Sequence, residues 1–140
     1  MADYSITAAN VAWVSGTPIQ LSPAVANESM TAGQAFYFDN SNSQQAKKSD
    51  ANASGKDGFD GIVMQTSVSS GQYFAYAPPG AVINPGCNMT PTDVVILSTN
   101  AGGLAPVADL ASGSNLTLVG VALATTQLYI QKYQSSVTKP

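Results

Sequence analysis

Ala35-Phe36-Tyr37-Phe38 and Gly61-Ile62-Val63-Met64 return, 59 residues further on, as Val94-Val95-Ile96-Leu97 and Gly120-Val121-Ala122-Leu123. The match runs without a gap from Met30 to Thr66, placing Met30-Thr31 on Met89-Thr90, Ala46 on Ala105, Asp50 on Asp109 and Thr66 on Thr125. Six identities in 37 positions are few, so the coincidence of the apolar runs carries more weight. After a four-residue deletion, Gln72-Tyr73-Phe74 aligns with Gln127-Leu128-Tyr129. The pattern predicts a duplicated unit of strand, polar loop, strand, turn and strand. The competing explanation is that two β segments align this well at a freely chosen offset. A single unit would expose one apolar face, whereas two can share a core.

The surrounding sequence is punctuated by 12 Gly and 8 Pro, and its apolar runs last only four to eight residues. No stretch sustains the i, i+3, i+4, i+7 pattern of a helix, so the elements read as short strands joined by turns. Further strands are expected at Val11–Val14, Tyr73–Tyr76 and Ala81–Ile83, with a hairpin of 116–123 and 127–133 across Thr125-Thr126. The expected fold is all-β: a compact sandwich or barrel, jelly-roll-like, in one domain. It divides into an N-terminal arm and first strand (1–29), a first β unit (30–88) and a second (89–140). Residues 39–58 are almost wholly polar and include Lys47, Lys48 and Lys56; they are expected to be solvated and mobile. Their counterpart contains Leu104, Val107 and Leu110 and is expected to pack down.

Composition excludes much chemistry. The 140 residues hold 5 Lys, no Arg, no His and 8 acidic residues, for a net charge of −3. Charged residues make up 9%, against about 25% in an ordinary domain. Without His there is no Ser-His-Asp triad, no His metal ligand and no ordinary switch between pH 5 and 8. Without Arg there is no bidentate clamp for phosphate. The negative balance opposes a nucleic-acid partner. A single Cys, Cys87, excludes an internal disulfide. No run of 18 apolar residues is present, so no membrane partner is expected, and the opening Met1-Ala2-Asp3-Tyr4-Ser5 does not read as a signal peptide.

Few residues suggest a reactive site. Asp50-x-Asn52-x-Ser54-Gly55 copies the start of a calcium loop, but position twelve is Gly61 where a bidentate Glu is needed. Asp57 and Asp60 lie beside glycines, where exposure is expected, whereas general acid catalysis needs one carboxyl in an apolar pocket. Cys87 has no His to activate it. No catalytic residue, metal or cofactor is assigned, and the chain is expected not to be an enzyme. The aromatics are better candidates, because Tyr and Trp bury large areas with few rotors. Alternation in Tyr73-Phe74-Ala75-Tyr76 puts Phe74 and Tyr76 on one face, expected to be core, and leaves the Tyr73 face to a partner. The interface candidates are Tyr4, Trp13, Tyr73, Tyr76 and Tyr133, with Trp13 first and core packing as the competing role for each.

Thr31-Ala32-Gly33-Gln34-Ala35-Phe36-Tyr37-Phe38-Asp39, Asp60-Gly61-Ile62-Val63 and above all 101–113 running into Leu118-Val119-Gly120-Val121-Ala122 resemble the capsid cement, or head-decoration, proteins of tailed bacteriophages. The opening from Ala2 to Ala8 is similar as well. The resemblance implies a compact β protein on the outer capsid surface of the virion, made in the host cytoplasm. It would clamp subunits of the major capsid protein of the same virus, as a homo-oligomer, dimer first and trimer second. It carries over no catalytic residue. The rival reading is a tail or fibre module that binds a receptor or glycan through exposed Tyr and Trp.

Overall fold

A computed structural model describes residues 3–41, 43–52, 55–110, 112 and 114–138, with 133–138 described by backbone alone. The described residues form thirteen strands, all paired antiparallel. The first eight are β1 (Ala12–Gly16), β2 (Gln20–Leu21), β3 (Met30–Thr31), β4 (Ala35–Asp39), β5 (Gln45–Lys48), β6 (Gly61–Val63), β7 (Ser67–Val68) and β8 (Ala75–Ala77). Then come β9 (Ala81–Asn84), β10 (Val94–Leu97), β11 (Leu104–Pro106), β12 (Asn115–Ala124) and β13 (Gln127–Thr138). Helix is confined to two 3₁₀ turns, Ala8–Asn10 and Val107–Asp109. The protein is an all-β sandwich of packed antiparallel sheets.

The first sheet runs β2-β8-β6-β4-β5, and the second runs β1-β9-β13-β12-β10-β11. Leaving β1 aside, each sheet takes its strands in the same order along the chain. The register repeats too. Ala35 pairs with Ile62 and Phe36 with Gly61 in the first sheet; Val94 pairs with Val121 and Val95 with Gly120 in the second. Each partner has moved by the same 59 residues. The last strand does not follow the four-residue deletion, for Ile62 pairs with Ala77 where Val121 pairs with Tyr129. The chain passes between sheets at Pro78-Pro79-Gly80, so Ala81–Asn84 opens the second sheet, ahead of the division read at residue 88.

The two sheets stack in the same sense. Ala35, Ile62 and Ala77 face the second sheet and meet Val95, Ala122, Leu128 and Ile130 in the main core. The opposite face of the first sheet carries Phe36, Val63, Phe74 and Tyr76. A two-stranded β3–β7 flap covers it, contributing Met30 and Val68 to a second core. The repeat turns these faces over relative to the molecule. Ala35 and Ile62 are fully buried between sheets, while their counterparts Val94 and Val121 lie half-buried on the outer face of the second sheet. Part of that face is shielded, since Ile96 and Ala105 are buried beside the Val107–Asp109 turn. Among the described residues, no counterpart of the flap covers the part over β9, β13 and β12.

The stretch 39–58 departs from the sequence reading. Gln45–Lys48 is a paired strand, with Lys47 opposite Tyr37 and Ala46 opposite Phe38. Ala46 is buried in the second core, and Lys47 Nζ meets Asp39 Oδ2 at 2.8 Å. One inward Ala is sufficient for an edge strand, whose other side chains face water. The ladder satisfies the backbone groups that a loop would have left to solvent.

Candidate partner interface

The first and last parts of the N-terminal arm are held very differently. Tyr4 N donates to Leu104 O (2.9 Å), and its phenol donates to Asp93 Oδ2 (2.8 Å) while the ring packs on the main core. Ser98 Oγ and Asn100 Nδ2 donate to the two oxygens of Asp3, at 2.6 and 2.8 Å. Tyr4 is thus a half-buried structural pin. Burial raises its phenol pKa above the ordinary 10, with the Asp93 bond adding to the shift. Tyr4→Phe removes a charge-assisted bond and should cost about 1.5–3 kcal/mol in a urea titration. A loss below about 0.5 kcal/mol would show that the pin carries no load.

From Ala12 to Leu21 the arm is exposed throughout its two strands. β1 lies along β9 at the edge of the second sheet, and β2 lies along β8 at the edge of the first. The arm therefore rounds the corner of the sandwich beside the 78–80 crossing. Gly16 and Gly80 meet there with φ of +79° and +97°. A Cβ on Gly16 would strike the Gly80 carbonyl oxygen, and one on Gly80 would strike Thr17 Oγ1. The Thr17 N–H donates to Gly80 O at 3.1 Å, and the Trp13 indole N–H donates to Thr17 O at 3.0 Å.

That indole bond sets Trp13 in place while 45% of the residue remains exposed. Val14 and Ile19 are exposed as well, and Leu21 is 72% exposed. Leu21 pairs with Ala75, and alternation places the 57%-exposed Tyr73 two positions away on the same face. No charged residue occurs from Tyr4 to Asn27 or from Gly61 to Thr92. Exposed sheet edges are ordinarily guarded by charges, especially Lys. This edge has Pro18 and a register shift between Trp13 and Ser15 as its guards.

The other sequence candidates are placed elsewhere. Tyr76 is 9% exposed within the second core, its phenol oxygen 3.3 Å from Gln20 Oε1, so it is a core residue. Tyr133 pairs by backbone with Leu118, and its side chain lies outside the described residues. Trp13 and Tyr73 remain as surface aromatics. Leu21 and Ile19 were missed because a lone apolar residue between turns gives no periodic signal.

The reactive candidates have structural employment. Asp60 Oδ2 accepts from Phe38 N at 2.8 Å, and Oδ1 lies 3.2 Å from Lys132 Nζ. Asp50 Oδ1 accepts from Asn52 N in the loop that resembled a calcium site, of which residues 53 and 54 lie outside the described residues. Among the described residues, no group of three or more acidic, Cys or His side chains is arranged to hold a metal ion. A polar hollow of about 280 Å³ lies between Asn10, Asn84, Asn88 and Thr126, and neither Trp13 nor Tyr73 borders it. Cys87 also lines it but is 7% exposed.

Burial lifts the Cys87 thiol from 9.0 to about 11 and raises the phenols of Tyr37 and Tyr76. These groups release their protons later folded than unfolded. Their contribution to stability is complete below about pH 9 and is lost as pH rises toward 11. The denaturant midpoint should therefore fall between pH 8.5 and about 10.5, and Cys87 should resist thiol reagents at pH 8. A flat midpoint would contradict both the burial and its cause.

The fold and its exposed edge define a small all-β protein whose most distinctive surface is an uncharged, apolar ribbon. Comparison with protein-family models and with curated proteins finds no match for the chain.

Proposed function

We propose that this is a capsid cement protein: a β body that attaches to the outer surface of a tailed-phage head and holds neighbouring major capsid protein subunits together. The observation that carries the reading is the uncharged corner ribbon, where Trp13 and Val14 on the β1 edge, Leu21 on the β2 edge and Ile19 between them are exposed. Such an edge can take an added strand through main-chain bonds, while its side chains supply anchors. The cement resemblance of the 31–39, 60–63, 101–113 and 118–122 stretches supports the same reading. A mechanical role also suits a chain with no His or Arg. The glycan-binding alternative would use the same exposed Trp13 and Tyr73, neither of which borders the polar hollow.

The test is rebinding. Purified protein should decorate stripped heads of its own virus in hundreds of copies and raise their rupture temperature. Trp13→Ser with Leu21→Ser, still folded by circular dichroism, should weaken attachment at least tenfold. Few charges are available to screen, so attachment should change little between about 0.1 and 1 M NaCl. No binding by folded protein, or a few tens of copies at most, would overturn the proposal.

A further inference from the structure

We infer that the bare outer face of the second sheet is the contact between two copies of this chain, related by a two-fold axis. A homo-oligomer is already implied by the cement resemblance; the stacking of the sheets adds which face makes the contact.

A stack of like units buries every internal face and needs a cover on each end. At one end the cover is present: the β3–β7 flap sits over Phe36, Val63, Phe74 and Tyr76. At the other end Val82, Tyr129, Val121 and Val94 form a continuous cross-strand row, each paired with the next. All four are half-buried in the single chain, Leu118 lies beside them, and Leu123 is 53% exposed. Val94 and Val121 are the repeat counterparts of Ala35 and Ile62, which the second sheet covers completely. Pro79 and Tyr129 border a groove of about 700 Å³ on this face.

Charge permits a second copy as the occupant. The groove's single charged lining residue is Lys132, and its ammonium is already 3.2 Å from Asp60 Oδ1. Placing the face against itself therefore opposes no unneutralised charges. An isologous pair also closes: two copies meeting there form a four-sheet stack with a flap at each outer end, leaving no further bare face to propagate a filament. Contiguous apolar surface of this kind is characteristic of an interface.

The experiment is sedimentation of the purified full chain over a range of concentrations, without capsid present. Wild type should be dimeric, and Val121→Lys or Tyr129→Lys should raise the dissociation constant at least tenfold without altering the circular dichroism spectrum. Trp13→Ser should leave the dimer intact, which separates this face from the corner ribbon. Because a lysine variant could unfold, Val121→Cys provides a second readout. With Cys87 buried, the introduced thiol should be shielded from maleimide in the dimer and react once the dimer is diluted apart. A monomer at all concentrations, open-ended assembly, or a dimer that survives both lysine variants would overturn the inference. So would an introduced thiol that reacts equally in dimer and monomer.

Discussion

Gly120→Ala should unfold much of the population at 37 °C, with a stability loss of at least about 3 kcal/mol. The added Cβ would run into the carbonyl oxygen of Tyr129 on the paired strand, with Ile130 Cα 3.2 Å away. These are backbone atoms of a central ladder, so relief requires separating β12 from β13, the most extensively paired strands of the molecule. The repeat counterpart, Gly61, is similarly confined: its Cβ would lie 2.7 Å from Ala77 O and 2.7 Å from the Tyr76 ring. Gly61→Ala should be nearly as damaging. Gly58→Ala is the control, because its nearest neighbour is the Tyr37 side chain at 3.3 Å. Thermal melts ranking Gly58→Ala with the other two would refute the steric explanation.

Phe36→Ala should cost about 3–5 kcal/mol, a large share of the 5–15 kcal/mol that holds an ordinary domain. Phe36 is fully buried, and its ring meets those of Phe38, Phe74 and Tyr76 edge-on, with centroids 5.0–5.3 Å apart. Edge-to-face pairs add to the burial energy, and the flap would close over a void. Phe38→Ala, at a half-buried site, should cost clearly less. Chemical denaturation decides it, and a Phe36→Ala loss under about 1.5 kcal/mol would mean that the space collapses freely.

Much of this architecture was readable before any coordinates. Strands such as Val94–Leu97 and Gly61–Val63 announce themselves because they are buried for most of their length and apolar runs follow. The 59-residue offset reappears as a shared register, and Gly61 and Gly120 recur because each packs against a neighbouring strand's carbonyl. Gln45–Lys48 was hidden, since an edge strand with one inward Ala looks like a loop. Nor does periodicity tell which face is covered. Ala35 and Val94 occupy the same place in the repeat, yet the neighbouring layer buries one and leaves the other half-open. For the candidate interface, Trp13 was legible by residue type. Tyr76 was legible as core, since alternation sets it beside Phe74, and the β3–β7 flap over that face removes it from the interface candidates.

The arm's partners impose an order on folding. Tyr4 needs Leu104 and Asp93, and β1 needs β9, so the arm must wait for residues that follow it by about 70 to 100 positions. Contacts between residues so distant in sequence close slowly. Until then Trp13 and its apolar neighbours travel unpaired, a window in which nascent chains are prone to clump. The lone indole, bonded to Thr17 O beside the Gly80 crossing, reports when that corner closes.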